Sequence, residues 1–580
     1  MDKEEIIKIL KDISVFLELK DENSFKIRAY QNAARAFESS DIDLNKNLGI
    51  KDLTDIKGIG SHIAERIKEL IDREKLKFYE DLKKSIPSGL VEMLSIPSMG
   101  PKKIKYLYDN LGISTVGELE YACNENRLVD LPNFGKKTQD NILKGIEVLK
   151  KYRGRYLYAN VIKEAEDINK KIQDFKYTIR SSLAGSVRRK RETVKDIDIV
   201  ASSSHPEKVM DFFTGLDEAE DIIAKGDTKS SIRLKSGINV DIRIVDDKQY
   251  PYALLHFTGS KEHNTAMRTA AKKNNIKMNE YGLYKNNRLI KCSNEKDIYD
   301  YFSMDWIPPE LRENYGEIEA GKNKKLPHLI EERDIKGIFH IHTTHSDGNN
   351  TLEQICKHLK ENGFQYAGIS DHSKTASYAG GIKDKEIDKY LKEIDEMNTR
   401  FSGFRVFKGI ESDILLDGKL DYKDSILEKF DFIIAAIHSN FNLSEEQMTN
   451  RIIKAIKNRF TTILAHPTGR LLLARDPYRA DIIRIINAAA ENDVDIEINS
   501  NPYRMDLDWR MCKYAKEKGI KIFINPDAHS IKGLDDYKFG VNIARKGWLE
   551  KKDVPSTFSV DKISEYLKNK KEKKTGQNKK

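Results

Sequence analysis

Through about residue 150, apolar positions recur every three to four residues in short blocks broken by Gly and Pro, a pattern that predicts a string of short amphipathic helices. Residues of about 155–315 mix helical stretches with β-branched runs. Ile197-Asp198-Ile199-Val200 and Val240-Asp241-Ile242-Arg243-Ile244 read as strands. From about Asp334, short apolar strands alternate with amphipathic helices, the βα signature. Between them, Pro308 to Arg333 carries a Pro-Pro step and the run Gly321-Lys322-Asn323-Lys324-Lys325, and it reads as a linker. The expected segments are 1–85, 86–153, 154–250, 251–315, a linker at 316–334, and 335–567. The end, 568–580 (KNKKEKKTGQNKK), has no apolar residue to bury and is expected to be a disordered basic tail.

Composition narrows the class. Charged residues are 33 % and aromatics 9 % of 580 residues, a balance that fits folded globular domains. Net charge of +9 permits a nucleic-acid partner without requiring one. Cys123, Cys292, Cys356 and Cys512 are scattered without a CxxC pair, which argues against a disulfide framework or thiolate zinc site. The start, MDKEEIIKIL, is charged and no apolar run spans a bilayer, so a soluble cytoplasmic protein is expected, as a monomer and with no membrane partner.

The helical region repeats one device. Ile56-Lys57-Gly58-Ile59-Gly60, Ile96-Pro97-Ser98-Met99-Gly100 and Leu131-Pro132-Asn133-Phe134-Gly135 each place a tight glycine turn before a helix start. Gly58, Gly60, Gly100 and Gly135 let backbone come close to a partner, and the helix N-termini aim free N–H groups outward. Amides and flanking lysines suit DNA phosphates and read no bases. The three copies resemble helix-hairpin-helix motifs.

In the middle region, Gly185-Ser186-Val187-Arg188-Arg189 precedes Asp196-Ile197-Asp198. Aspartates at i and i+2 of a strand share a face, and Asp241 supplies a third carboxylate. Three buried like charges call for divalent cations, here two Mg²⁺ or Mn²⁺. The loop amides and Ser186 would cradle a triphosphate, with Arg189 neutralising its charge. With Phe257-Thr258-Gly259-Ser260, Asn264, Arg268 and Asn279-Glu280-Tyr281, the chain to about residue 315 resembles the family X DNA polymerases of the polymerase beta type. The resemblance implies a DNA-end-binding helical domain with Lys26 at the end, a nucleotidyltransferase palm, and a subdomain bordering the nascent base pair. It implies that Asp196, Asp198 and Asp241 bind the metals and that Gly185, Ser186 and Arg189 hold the dNTP. Phe257 and Gly259 would border the sugar; Asn264 and Arg268 would face the nascent pair and template. Two positions depart from the family. His256 replaces a tyrosine beside the sugar, and Arg66 stands where that family's lyase lysine would be. Arginine cannot form the Schiff base, so strong lyase activity is not expected.

In the last region, successive strands end on Phe339-His340-Ile341-His342, Asp371-His372, Gly409-Ile410-Glu411, Ile437-His438, Ala465-His466, Glu497-Ile498-Asn499 and Asp527-Ala528-His529. In a βα barrel these ends form one rim, and imidazoles mixed with carboxylates suit Zn²⁺, Mn²⁺ or Fe²⁺. The spacing His340-x-His342 with Ser346-Asp347-Gly348 resembles the PHP (polymerase and histidinol phosphatase) family. That resemblance implies a distorted seven-stranded barrel and up to three metals on His340, His342, Asp347, His372, Glu411, His438, His466, Asp527 and His529. Arg470 is expected to contact phosphate; His345 and His358 fall outside the pattern.

The expected fold is therefore multidomain: helical hairpins, an α/β palm with fingers- and thumb-type subdomains, and a C-terminal (β/α)7 barrel. The expected function is gap-filling DNA synthesis on primer-template DNA, joined to 3′→5′ exonuclease or 3′-phosphoesterase work, with cleavage at abasic sites as a further activity of the barrel. Two alternatives share these features. A nucleotidyltransferase acting on RNA or a small molecule has the same Gly-Ser and Asp-x-Asp core, but the hairpins and Phe257 to Arg268 oppose it. A DNA-end-binding scaffold with inactive sites is opposed by the intact carboxylates and ligands.

Overall fold

The computed structural model describes residues 3–40, 42, 48–97, 99–129, 131–150 and 154–576. Ser98 of the second hairpin, the expected boundary at 153, residues 1–2 of the start and the last four tail residues lie outside them. The chain divides into two compact units at Leu149/Lys150.

The first unit is all helical. Asn23 caps the helix Ser24–Glu38 through a 2.8 Å bond from Phe25 N, and Thr115 with Glu118 forms a capping box on Val116–Asn124. Gly60 and Gly100 are the N-caps of Ser61–Arg73 and Pro101–Leu111. Gly58 takes φ 111° and sits 3.3 Å from Ala36 Cβ by the position a side chain would need, so a glycine is required there. One apolar core runs from Ile6, Leu10 and Phe37 through Ile67 and Leu90 to Ile104, Leu119 and Ile146. Residues 1–85 and 86–149 thus share a core, because helices this short bury enough apolar surface only together.

In the second unit, β1 (Tyr156–Leu157) and β3 (Thr193–Val194) pair as a small ribbon. Beside it, β2 (Arg180–Leu183), β4 (Asp196–Ser202), β5 (Ala219–Lys225), β6 (Lys229–Leu234) and β7 (Asn239–Val245) form a sheet in the order β2-β4-β7-β6-β5. Strands β4 and β7 are parallel neighbours. Their alternate residues Ile197, Ile199, Val240 and Ile242 are buried against the helices Tyr158–Asp174 and Pro206–Thr214, which leaves the aspartates on the opposite face. A three-stranded sheet, β8 (Ile276–Asn279), β9 (Gly282–Lys285) and β10 (Arg288–Ile290), packs with the helices Tyr250–Thr258, Lys261–Lys273 and Glu295–Tyr301.

The barrel strands are β11 (Gly337–Ile341), β12 (Tyr366–Ile369), β13 (Arg405–Asp413), β14 (Phe432–Ala436), β15 (Ile463–Leu464), β16 (Asp495–Asn499) and β17 (Ile522–Asn525). All seven are parallel and in sequence order, and a bridge from Ile341 to Ala528 brings the ends together. Phe339, Tyr366, Phe407, Phe432 and Phe523 fill one end of the interior with Phe558 and Leu567.

Two segments differ from the sequence expectation. Residues 568–576 are no disordered tail; they continue the helix Val560–Gly576. Lysines take the place of apolar anchors: Lys570 is buried 2.9 Å from Asp495, and Lys571 donates to the Glu428 and Phe430 carbonyls at 2.7 and 2.8 Å. Residues 316–334 are also no free linker. Glu317 is fully buried, accepting bonds from Asn314 N and Tyr315 N and lying 2.7 Å from His263 Nδ1, while Ile330 N bonds the Leu549 carbonyl.

Candidate functional sites

The palm sheet sets the first site. Asp198 lies beside Asp241 in the parallel β4–β7 register, with Asp196 two residues earlier on the same face. Asp241 accepts a 2.6 Å bond from Ser231 Oγ and pairs with Lys229 Nζ at 2.7 Å. Burial, followed by the charges of Asp196 and Asp241, pushes Asp198 up to about 7. Burial and Asp241 raise Asp196 as well. Three carboxylates gathered on one face, two of them raised, are a set that divalent cations would relieve.

Above them, Gly185 has φ 55°, and a Cβ there would lie 1.9 Å from Asp198 Oδ2; only glycine lets the loop pass over this carboxylate. Ser186 is half-buried in the short helix Gly185–Arg188, its carbonyl bonded by Arg191 N. Arg188 clasps Glu295 with bonds of 2.8 and 2.6 Å, tying the loop to the helix Glu295–Tyr301. Arg189 is largely buried; its Nε meets Glu313 Oε1 at 3.2 Å and its guanidinium donates to the Thr258 carbonyl. A Cβ on Gly259 would come within 3.0 Å of Arg189 Nη1. Asn264 donates to the His256 carbonyl at 2.7 Å, Arg268 Nε to the Asn264 carbonyl at 3.3 Å, and Arg243 stacks 4.7 Å over Phe257. Burial lowers the His256 imidazole.

The barrel rim builds the second site. His340, His466 and Asp527 take φ of 58°, 26° and 52°, so three rim residues hold the strained left-handed backbone that marks functional positions. On β11 this breaks the strand alternation: Ile338 and Ile341 enter the outer core while the His340 and His342 rings converge on the interior. Glu411 is the hub. Its carboxylate lies 3.1 Å from His340 Nε2, His438 Nε2 and His466 Nε2, and 2.8 Å from His372 Nδ1. Asp527 Oδ1 is 3.1 Å from His342 Nε2; Asp347 is 3.5 Å from His372 Nε2 and 3.4 Å from His529 Nε2. The nine residues form overlapping donor groups, each with its ligand atoms within 4.8 Å of one another.

The electrostatics fit cations. Burial pushes Asp347, Glu411 and Asp527 up, yet the surrounding imidazoles hold all three well below the usual carboxylate range. Burial lowers His340 and His372, but Glu497, Asp527 and Glu411 carry His340 well above its ordinary value, and Asp347 and Glu411 carry His372 to about 10. Burial and Arg504 press His466 down to about 3. Among the described residues, buried His340 Nε2, both His372 ring nitrogens, both Asp347 oxygens and Glu411 Oε2 lack a well-directed hydrogen bond. Metal coordination satisfies such atoms.

The outer roles of Glu497 and Asn499, and the residues Asp413 and Arg504, were not assigned from the sequence. Glu497 Oε2 is 2.6 Å from His340 Nδ1, Asp413 is 2.5 Å from His438 Nδ1, and Asn499 donates to Asp527 at 2.9 Å. Asp413 had a signal, standing two residues beyond Glu411 on one strand. Arg504, buried 3.6 Å from Asp527, had none. Arg470 bonds Asp508 at 2.5 Å and the carbonyls of Arg504 and Met505, so a phosphate there would compete with these protein partners. His345 pairs with Glu393 at 3.0 Å, away from the donor groups, and His358 lies on the helix Leu352–Glu361.

In the helical unit, Gly58 and Gly60 stand exposed at the first hairpin, Gly100 at the second, and half-buried Gly135 at the third. Lys26 pairs with Glu22 at 3.4 Å. Arg66 stacks 3.5 Å over Phe78 and donates to Tyr30 Oη. No helix among the described residues is long and apolar enough to cross a membrane.

Known families map onto these parts. A helix-hairpin-helix domain matches residues 1–76, a SAM-like helix-hairpin-helix tandem 90–147, the DNA polymerase beta thumb 253–313, and the PHP domain 339–501. Asp527 and His529 lie beyond the PHP match, on the loop after β17. A probable phosphatase of Thermoanaerobacter sp. (strain X514) is 29 % identical over 249 residues, 41 % of this chain and 96 % of that protein. A probable phosphatase of Acetivibrio thermocellus is 28 % identical over 40 % of this chain and 95 % of its own length. The DNA polymerase/3′-5′ exonuclease PolX of Bacillus subtilis is 39 % identical over 572 residues, covering 98 % of this chain and all of that protein. With that likeness from end to end, and with hairpin, thumb and PHP segments matched along it, the chain belongs to the PolX family of DNA polymerase/3′-5′ exonucleases.

Proposed function

We propose that this chain fills short gaps in DNA from the palm site and trims or dephosphorylates 3′ ends from the barrel site. The observation that carries the reading is the presence, within one compact unit, of two separate carboxylate-rich sites that each call for divalent cations. Asp196, Asp198 and Asp241 would hold two Mg²⁺ or Mn²⁺. The nine barrel donors would hold up to three Mn²⁺, Zn²⁺ or Fe²⁺. Bound cations at both sites would supply countercharge to phosphoryl oxygens.

The chain's own groups do the rest. Gly185 and Ser186 would accept the dNTP triphosphate with Arg189. Phe257 and Gly259 would border its sugar, and Asn264 and Arg268 would face the nascent pair. Asp241, held by Ser231 and Lys229, would help take up the proton of a primer hydroxyl. At the barrel, Glu497 and Asp413 fix which nitrogen of His340 and His438 faces the site. Arg504, buried 3.6 Å from Asp527, would add positive charge beside an anionic substrate. The hairpin glycines with Lys26 would hold the duplex by its backbone. Arg66 supplies no Schiff-base amine.

A gapped duplex ending in a 3′-phosphate tests both activities together. With Mn²⁺ and dNTPs the protein should release inorganic phosphate and then extend the same strand. A 3′ end left unprocessed, neither dephosphorylated nor trimmed, or processing with no template-directed extension, contradicts the reading.

A further inference from the structure

The palm loop is bound to the barrel as well as to its own sheet. Lys546 ends the helix Tyr537–Lys546, which follows the last barrel strand, and its side chain is fully buried. Its ammonium donates to the Arg189 carbonyl at 3.0 Å, the Glu310 carbonyl at 3.3 Å and the Glu313 carboxylate at 2.9 Å. The same carboxylate meets Arg189 Nε at 3.2 Å and Arg191 Nη1 at 3.4 Å. Burial pushes Glu313 up, but Lys546, Arg189 and Arg191 together hold it below its ordinary value. A second pair runs alongside, with Arg545 Nε 2.8 Å from Glu310.

Three cations therefore share one buried carboxylate, and one of them, Arg189, is the side chain assigned to the triphosphate. A nucleotide phosphate would compete with Glu313 for the Arg189 guanidinium, whose Nε meets that carboxylate at 3.2 Å. A buried carboxylate that loses its countercharge is strongly destabilised, so the cations left behind decide how readily Arg189 moves. Arg191 is partly exposed; Lys546 is not.

We propose that Lys546 of the phosphoesterase barrel is a positioning residue for nucleotide addition: it keeps Glu313 neutralised when Arg189 turns to the triphosphate, and so sets the affinity of the polymerase site for dNTP. This rests on the assignment of Arg189 as a triphosphate contact.

The test uses the full-length protein on a gapped duplex, with kcat and KM for dNTP, Mn²⁺-dependent 3′ digestion and melting temperature measured for Arg189→Ala, Lys546→Met, Glu313→Gln and the Glu313→Gln/Lys546→Met double variant. Lys546→Met should raise KM for dNTP about tenfold while leaving saturated kcat within about twofold, because Glu313 then grips Arg189 harder. Adding Glu313→Gln should return KM to about the value of Glu313→Gln alone, and 3′ digestion should persist in all four. A purely structural role would leave the Lys546→Met rise in KM in place when Glu313→Gln is added. An unchanged KM in Lys546→Met, or the full Lys546→Met rise persisting in the double variant, overturns the inference. If Lys546→Met does not fold, Glu313→Gln decides alone: KM should fall, and an equal or higher KM overturns it. An unchanged KM in Arg189→Ala overturns the Arg189 assignment itself.

Discussion

Glu497 Oε2 lies 2.6 Å from His340 Nδ1, while His340 Nε2 faces the Glu411 carboxylate 3.1 Å away. The outer carboxylate thus fixes the ring so that Nε2 is the nitrogen presented to the donor cluster, and it raises that nitrogen's basicity. Glu497 also accepts from Asn525 Nδ2 at 2.9 Å and His466 N at 3.2 Å, so it braces two barrel strands at once.

Glu497→Gln should keep the fold but weaken metal retention by the barrel by about 10–100-fold. Metal content after dialysis against a weak chelator measures it, with nucleotide addition as the internal control. Full metal retention would mean that the Glu497–His340 contact is incidental.

Asp198 gives the polymerase site a pH signature. Burial first, then Asp196 and Asp241, lift it to about 7, above its ordinary value. A raised carboxylate favours the folded metal-free protein fully only below its unfolded pKa of about 4, and that contribution is gone once pH passes about 7. Cation binding must displace this proton below about 7. The Mg²⁺ concentration for half-maximal nucleotide addition should therefore rise by up to about tenfold per pH unit as pH falls from 7, and level off above it. A Mg²⁺ requirement independent of pH between about 5.5 and 7 would contradict the shift.

Arg470 can be a structural cation or the phosphate contact expected from the sequence, and one variant separates the two. Its bonds to Asp508 and to the Arg504 and Met505 carbonyls leave Arg470→Met with buried partners unsatisfied, a loss of about 3 kcal/mol. Differential scanning calorimetry should show the lowered melting temperature. Below that temperature, KM for a 3′-phosphate substrate should stay within about twofold of the parent, since no phosphate contact is lost. A large rise in KM without destabilisation would restore Arg470 as a phosphate contact.

Much of this architecture was legible because its signals are local. Continuous apolar runs such as Phe432–Ala436 announce buried parallel strands, and histidines or acids at their ends have no reason to be buried without a cation. The nine donors converge because parallel strands put their C-terminal ends on one rim. What stayed hidden depends on partners far along the chain. Lys570 anchors a helix through Asp493 and Asp495, so a run of lysines looked like a free tail. An arginine after His466-Pro-Thr-Gly suits a phosphate or Asp508 equally well; only the fold chooses. Glu317 and Ile330 read as linker because their partners, His263 and Leu549, lie in other segments.

If two independent sites share one chain, a reciprocal pair of variants separates them. On a gapped duplex with Mn²⁺, Asp198→Ala should abolish dNTP addition and keep 3′ digestion near the parental rate, while His342→Ala with His529→Ala should abolish digestion and keep addition. Loss of both activities in Asp198→Ala, or digestion that survives removal of both histidines, would contradict the account.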